Sequence, residues 1–330
     1  MSNTIPMRII IFGGAGFLGK KLARELLKKG ELSVGGHAPR KITRLALFDN
    51  VTAVGLPADS RLEMVVGDIR DPARVRSLLE DPADVIFHLA AVVSGEAEKN
   101  FDLGMAVNLH ATLQLLELCR NLPTRPVLVF ASSCAVFGGE LSDQIRDNTA
   151  SMPRSSYGTQ KAVADLLISD FSRRGFVDGR CLRLPTITVR PGKPNAATSS
   201  FVSSIIREPL QKQRAVCPVA PDTEVWILSP KRVTENFIHA AQLPAAALGA
   251  NRMINLPGIT TSVAEMVRVL EAIAGPETTA LIDWIPDPFI QSIVLTWPPH
   301  FEPTRALELG FLRDESMREI IEAFMEEELD

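Results

Sequence analysis

Phe12-Gly-Gly-Ala-Gly-Phe-Leu-Gly19 joins an apolar run at residues 7–12 to a segment in which Leu18, Leu22 and Leu26 recur every four positions. The first pattern is a buried strand and the second an amphipathic helix, so the glycines at 13, 16 and 19 occupy a tight strand-to-helix turn. Glycine there lets backbone N–H groups and the positive helix end approach a pyrophosphate with no Cβ in the way. Gly13 and Gly16, with Phe17 and Leu18 opening the helix, are the candidates for holding such a group.

Outward from this turn the rhythm repeats. Apolar runs at 43–48, 62–66, 85–89, 127–131 and 181–184 alternate with helical patterns, which predicts six strands in a doubly wound α/β fold with a parallel sheet. The runs are mostly continuous, as strands covered on both faces by helices should be. The Gly-rich stretch 30–41 reads as a long loop before the second strand. Residues 231–244 read as a helix and 252–256 as a further strand returning to the sheet. The Pro/Ser/Thr-rich stretch from about 190 to 230, and the helical region from 257 onward with its Pro-rich segment 283–303, break the pattern. The expected organisation is a dinucleotide-binding domain of residues 1–189 and 231–256, and a smaller, discontinuous substrate lobe of 190–230 and 257–330. That lobe should sit over the carboxyl ends of the strands, where open α/β sheets bind ligands.

Composition narrows the function. With 330 residues, 46% hydrophobic, 22% charged and a formal charge of −4, the chain reads as an ordinary soluble protein. No basic cluster interleaved with aromatics suggests nucleic acid, and no apolar run approaches the roughly 20 residues of a membrane helix. The apolar N-terminal stretch lacks a basic leader and is broken by glycine, so a cytosolic location is expected. Cys119, Cys134, Cys181 and Cys217 form no CxxC pair and the five histidines fall in no metal-ligand spacing, so no metal is expected.

Asp49 closes the second predicted strand, where a carboxylate can accept from both hydroxyls of an adenosine ribose and repel a 2′-phosphate; NAD is favoured over NADP. Asp68, followed by Ile69, is placed either to meet the adenine amine or to cap the turn before Pro72. Leu89, Ala90 and Ala91 offer small surfaces where the cofactor would cross the fourth strand.

The only tyrosine in the chain, Tyr157, precedes Lys161 by four positions, which on a helix puts both on one face. A free phenol has a pKa of about 10 and is a poor base at neutral pH. An ammonium ~4 Å away is worth on the order of 4 kcal/mol at an effective dielectric near 20, about three pKa units, and an oxidised nicotinamide adds to it. Lys161 is thus expected to make Tyr157 a general base. Ser132 and Ser133 end the fifth strand, and Ser133 is the candidate for orienting a substrate hydroxyl.

Gly-Gly-Ala-Gly-Phe-Leu-Gly, Asp49, Asp68, His-Leu-Ala-Ala, Val-Asn108-Leu-His-Ala-Thr, Ser-Ser-Cys-Ala-Val-Phe-Gly and Tyr-xxx-Lys together resemble the extended short-chain dehydrogenase/reductase family in order and spacing, over nearly the whole chain. The resemblance implies a Rossmann domain, bound NAD, a Ser133/Tyr157/Lys161 triad and a homodimer. It implies further that Asn108, Pro185 and Thr186 belong to the cofactor site, with Pro185 and Thr186 beside the nicotinamide. Within the family, residues 91–98, 172–180, 184–195 and 199–210 are similar to members that oxidise the hydroxyl next to the carboxylate of a four-carbon sugar acid, D-erythronate, to the 2-oxo acid. Arg190, Lys193 and Arg207 would then supply cations for the carboxylate, and Ser94, Asn195 and Ser200 partners for hydroxyls. Phe137 stands where many nucleotide-sugar members carry a tyrosine, and Cys134 and Ala135 where dehydratases place an acidic pair. A nucleotide-sugar epimerase or dehydrogenase is the second reading, and a dinucleotide sensor without turnover the third.

Overall fold

All six residues of β1 (Met7–Phe12) are buried, because this strand lies in the middle of the main sheet with helices on both faces. The structure, a computed structural model, describes residues 6–139, 144–193 and 197–329. From β1 the chain passes through α1 (Phe17–Lys29) and a short β2 (Glu31–Leu32) to β3 (Arg40–Asp49) and β4 (Leu62–Val66). It then returns through α2 (Pro72–Leu79) to β5 (Val85–His88) on the other side of β1. α3 (Ser94–Lys99), α4 (Phe101–Gly104), a π turn at Met105–His110 and α5 (Ala111–Arg120) lead to β6 (Val127–Ser133). Next come β7 (Ile145–Arg146), α6 (Ser156–Arg173) and β8 (Asp178–Leu184).

The main sheet runs β12-β8-β6-β5-β1-β3, with β4 parallel to β3 and β2 antiparallel to it, β12 being Met253–Asn255. The strand order reverses between β1 and β5, which opens a crevice at their carboxyl ends. Two apolar cores fill the faces: α1 and α8 (Pro230–Gln242) cover one, α2, α5 and α6 the other.

Two details differ from the sequence expectation. The 30–41 stretch is not a plain loop: Glu31 and Leu32 pair with Lys41 and Arg40 as a small hairpin, so β3 begins three residues earlier. β4 is an edge strand, with Met64 and Val66 36% and 46% exposed, so its apolar run is covered on one face rather than two.

The remaining elements are β9 (Thr186–Ile187), α7 (Ser200–Leu210), β10 (Ala215–Cys217), β11 (Glu224–Leu228), α9 (Ala245–Leu248), β13 (Ile259–Ser262), α10 (Val263–Ala274), α11 (Pro276–Thr279), β14 (Ile282–Trp284), α12 (Pro288–Val294), β15 (Phe301–Glu302), α13 (Thr304–Glu308) and α14 (Met317–Glu328). α7, α10 and α14 enclose a third apolar core with β11 at its edge. Among the described residues no helix is long and apolar enough to cross a membrane, no group of His, Cys, Asp and Glu is arranged for a metal, and the four cysteines are buried and free.

Candidate active site

The glycine turn is built for close approach. Gly13 has φ +83°, and a Cβ there would stand 2.7 Å from the Ala90 nitrogen, so only glycine lets β1 pass the end of β5. α1 starts at Gly16 with no side-chain cap, leaving its first N–H groups for another acceptor. Asp49 braces the turn: its Oδ2 accepts from the Ala15 N–H at 2.9 Å and its Oδ1 from the Asn50 N–H at 2.8 Å. Around it lies a groove of about 350 Å³ that brings together Gly13, Gly16, Asp49, Asp68, Ile69, Leu89, Ala90 and Ala91. Phe17 and Leu18 are on the first turn of α1, their side chains packed toward the core, so what they offer the groove is backbone N–H. Asp68 serves the turn and lines the groove at once. It accepts from the Arg70 backbone at 2.8 Å and from its guanidinium, which holds the carboxyl below its usual range.

Asn108 sits inside the π turn, 1% exposed. The extra residue of such a turn re-aims a side chain. Here it points at Val92 and Gln160: Oδ1 accepts from the Val92 N–H at 2.8 Å, and Nδ2 donates to Val92 O at 3.0 Å and Gln160 Oε1 at 2.7 Å. Expected as a cofactor ligand, Asn108 instead ties the loop after β5 to α6. Beneath it the Thr112 hydroxyl donates to Asn108 O, so it can only accept from His88, whose Nε2 carries the proton.

α6 begins at an N-cap, Ser155, whose hydroxyl accepts from the Gly158 N–H at 3.1 Å. A Cβ on Gly158 would stand 2.1 Å from Ala135 O, so this glycine lets the first turn of α6 press against the end of β6. That contact sets Tyr157 beside Ser133, whose hydroxyl favours the ionised phenol. Lys161, one turn on, is 1% exposed; its Nζ donates to Ala131 O at 2.7 Å and lies 4.5 Å from the Phe130 ring centroid and 5.7 Å from that of Tyr157.

The electrostatics correct one expectation. Burial pushes the Tyr157 phenol up to about 12, and the cation that draws it back is the Arg190 guanidinium, aided by the Ser133 hydroxyl. Lys161 is itself pushed down to about 8 by burial, opposed by the Asp165 carboxylate, so it is a weakened ammonium bound to a carbonyl. Three pKa units of acidification from Lys161 alone do not survive the desolvation of the ring.

Ser133 and Tyr157 open into a second, smaller cavity of about 100 Å³, shared with Ser94, Pro185, Thr186, Arg190, Ser199 and Trp297 among others. Arg190 donates through Nε to Ile187 O and through Nη2 to Ser199 Oγ, both at 3.0 Å, and burial lowers it to about 10. Ser94 Oγ meets Thr198 Oγ1 at 3.1 Å, joining α3 to the segment before α7. Larger cavities, about 590 and 400 Å³, lie at the amino ends of the strands and between α1 and α14; neither contains Tyr157 or Ser133.

Residues 9–249 match the family model described as the NAD dependent epimerase/dehydratase family. The chain belongs to that family. As an epimerase/dehydratase family member it is 50% identical over 321 residues to D-erythronate dehydrogenase of Cupriavidus necator, covering 97% of this chain and 98% of that one. It is 44% identical over 320 residues to D-erythronate dehydrogenase of Haemophilus influenzae, covering 97% and 99%. Among solved structures, a nucleoside-diphosphate-sugar epimerase from Agrobacterium tumefaciens superposes with a TM-score of 0.91 at 42% identity, covering 100% of this chain and 97% of that one.

The groove of this NAD dependent epimerase/dehydratase fits a dinucleotide: its glycine turn has no room for side chains, its helix start is uncapped, and Asp49 presents a carboxylate at the strand end. Several expected substrate residues lie elsewhere. Arg207 is 2% exposed and spends its guanidinium on Arg190 O, Glu208 and Ser204, so it supports Arg190 from behind and presents no cation to the cavity. Lys193 is exposed and does not line the cavity. Ser200 opens α7, and its neighbour Ser199 faces the pocket instead. Asn195 lies outside the described residues. Reading the sequence missed Ser199, Trp297, Gly158 and Arg70; only Gly158, next to the lone tyrosine, left a signal there.

Proposed function

We propose that this chain is an NAD-dependent dehydrogenase that oxidises the 2-hydroxyl of D-erythronate to 2-dehydro-D-erythronate. The observation that carries the reading is the convergence of Tyr157, Ser133 and Arg190 on one cavity of about 100 Å³. A base, a hydroxyl anchor and a cation are what a 2-hydroxy acid needs, and the volume is well below the ~300 Å³ at which drug-sized ligands begin. The near full-length similarity to two D-erythronate dehydrogenases supports the same reading.

The glycine turn, Asp49 and Asp68 would hold NAD, which when bound would supply the hydride acceptor. The protein's part is proton handling and orientation. Ser133 holds the C2 oxygen, Tyr157 takes its proton, and Arg190 fixes the carboxylate and favours the phenolate. Lys161, buried behind Tyr157 and anchored on Ala131 O, is proposed to position the ring and the nicotinamide ribose. Pro185 and Thr186 line the same cavity as Tyr157 and would face the nicotinamide.

Residues 1–189 with 231–256 would form the cofactor domain and 190–230 with 257–330 the substrate lobe; Arg190, Ser199 and Trp297 on the pocket wall support this division. A cytoplasmic homodimer is part of the proposal, and the exposed apolar side chains Leu113 and Leu166 on α5 and α6 support a second copy there. The purified enzyme should form NADH with D-erythronate and not with UDP-sugars. Turnover of a UDP-sugar without turnover of D-erythronate would reverse the assignment.

A further inference from the structure

Among the described residues Arg190 is the only cationic side chain lining the substrate cavity. It projects from residues 188–193, which belong to no helix or strand, so its own backbone does not fix it. What holds it is α7 and the residue that opens it. Ser199, Ser203 and Arg207 recur every four positions, which places them in one stripe, and each takes a different part of Arg190. Ser199 Oγ accepts from the guanidinium Nη2 at 3.0 Å and Ser203 Oγ from the backbone N–H at 3.0 Å, while Arg207 Nη1 donates to the carbonyl oxygen at 2.6 Å.

The chemistry of the stripe goes beyond packing. Ser199 stands at the N-cap of α7, yet its side chain caps no N–H of the helix; the hydroxyl serves Arg190 instead, and the usual stabilisation of a serine cap is forgone. Ser203, fully buried, is itself held by Thr188 Oγ1 at 3.0 Å. Arg207 is 2% exposed and uses every guanidinium nitrogen: Nε and Nη2 meet Glu208 Oε1 at 3.2 and 2.6 Å, Nη2 also meets Ser204 Oγ at 3.3 Å, and Nη1 holds Arg190 O. A carbonyl needs no charge to be satisfied, and a buried guanidinium is costly enough to require Glu208 beside it. What the planar fork adds is a fixed direction, which a rotatable ammonium would not give.

We propose that Arg207 and Ser203 are positioning residues for carboxylate recognition, holding the Arg190 backbone from both sides so that its guanidinium is set for the substrate carboxylate before the acid arrives. The inference rests on the function proposed above, in which Arg190 meets that carboxylate. A side chain already ordered gives up less freedom on binding, so the stripe raises affinity without touching the substrate. Its effect reaches the acid only through Arg190. A neutral analogue of the same shape should therefore scarcely feel it, since the charge-assisted hydrogen bond is the one it lacks.

The test measures KM for D-erythronate and the inhibition constant of its neutral amide, D-erythronamide. The proteins are the wild type, Ser203→Ala, and Arg207→Met combined with Glu208→Gln, which removes the buried pair together; each change is then repeated in an Arg190→Gln background. With Arg190 present, either variant should raise KM about fivefold while the amide constant stays within about twofold. In the Arg190→Gln background the same changes should alter KM by less than about twofold, because the residue they act through is gone. Ser203→Ala keeps the ion pair, so it decides the matter where the double replacement does not fold. Equal losses for acid and amide, a rise that persists in full without Arg190, or no rise in a folded variant overturn the positioning role and leave the substrate reading standing. A wild type that does not oxidise D-erythronate overturns both.

Discussion

The Tyr157 phenol and the Arg190 guanidinium share one pocket and shift each other's proton affinity: Arg190 draws the phenol down, and Tyr157 draws the guanidinium up, each against the larger effect of burial. Replacing Arg190 by Gln therefore removes a carboxylate partner and a stabiliser of the phenolate together. KM for the acid should rise tenfold or more, and the limb of kcat/KM that climbs as Tyr157 deprotonates should move to higher pH. Rate profiles between about pH 6 and 10 decide it; a limb that stays in place would show that Arg190 does not act on the phenol.

Tyr157→Phe keeps the ring and its packing but removes the group that takes the proton. Hydride transfer should fall by a factor of about 10³ or more, while NAD still binds with near-unchanged affinity by calorimetry. Substantial turnover in this variant would end the mechanism.

Asp49 does two things, bracing the Ala15 N–H and presenting a carboxylate at the strand end. Asp49→Ser should raise KM for NAD about tenfold and narrow the gap to NADP, because the repulsion of a 2′-phosphate is lost. An unchanged NAD to NADP ratio would place the ribose elsewhere.

Behind Lys161, Asp165 is fully buried and accepts from Arg183 Nε at 2.9 Å. Asp165→Asn leaves a buried guanidinium without its countercharge, and the fold should lose about 3–5 kcal/mol in chemical denaturation. Replacing Asp165 and Arg183 together by Leu and Met should cost less than the single change. If the single variant unfolds like the wild type, the pair contributes nothing.

His88 is fully buried between Phe12 and Phe130, and burial, with Lys161 nearby, holds its pKa down to about 3. In the unfolded chain the same imidazole takes a proton near its ordinary 6.5, so between these values the unfolded state binds more protons than the folded one. Stability is then complete above about 6.5 and falls toward 3, by about 1.4 kcal/mol per pH unit from this residue. Melts of His88→Leu over that range should fall less steeply than the wild type; identical slopes would refute the contribution.

The sheet and the cofactor groove could be read from the sequence because their signals are local. Strand, glycine turn and helix lie within residues 7–29, and Asp49 closes, and Ala90 follows, strands that continuous apolar runs announce. Tyr157 and Lys161 were found for the same reason, one helical turn apart. The substrate wall gave no such signal. Arg190, Lys193 and Arg207 look alike as cations in a Pro/Ser-rich stretch, and packing alone put the first in the cavity, the second in solvent and the third behind Arg190.

Local order, a side chain's position on its own strand, turn or helix, was set by the sequence alone, since backbone periodicity fixes it within a few residues. The sequence thereby determined a parallel sheet with a dinucleotide turn and a tyrosine and lysine on one helix face. Tertiary structure decided which of several equivalent polar side chains meets the substrate. It brought Trp297 to within the same cavity as Ser133, more than 160 positions earlier in the chain, and it desolvated Tyr157 and made Arg190 the cation that opposes that burial. Both depend on burial and on contacts between distant segments, and neither quantity is carried by spacing along the chain.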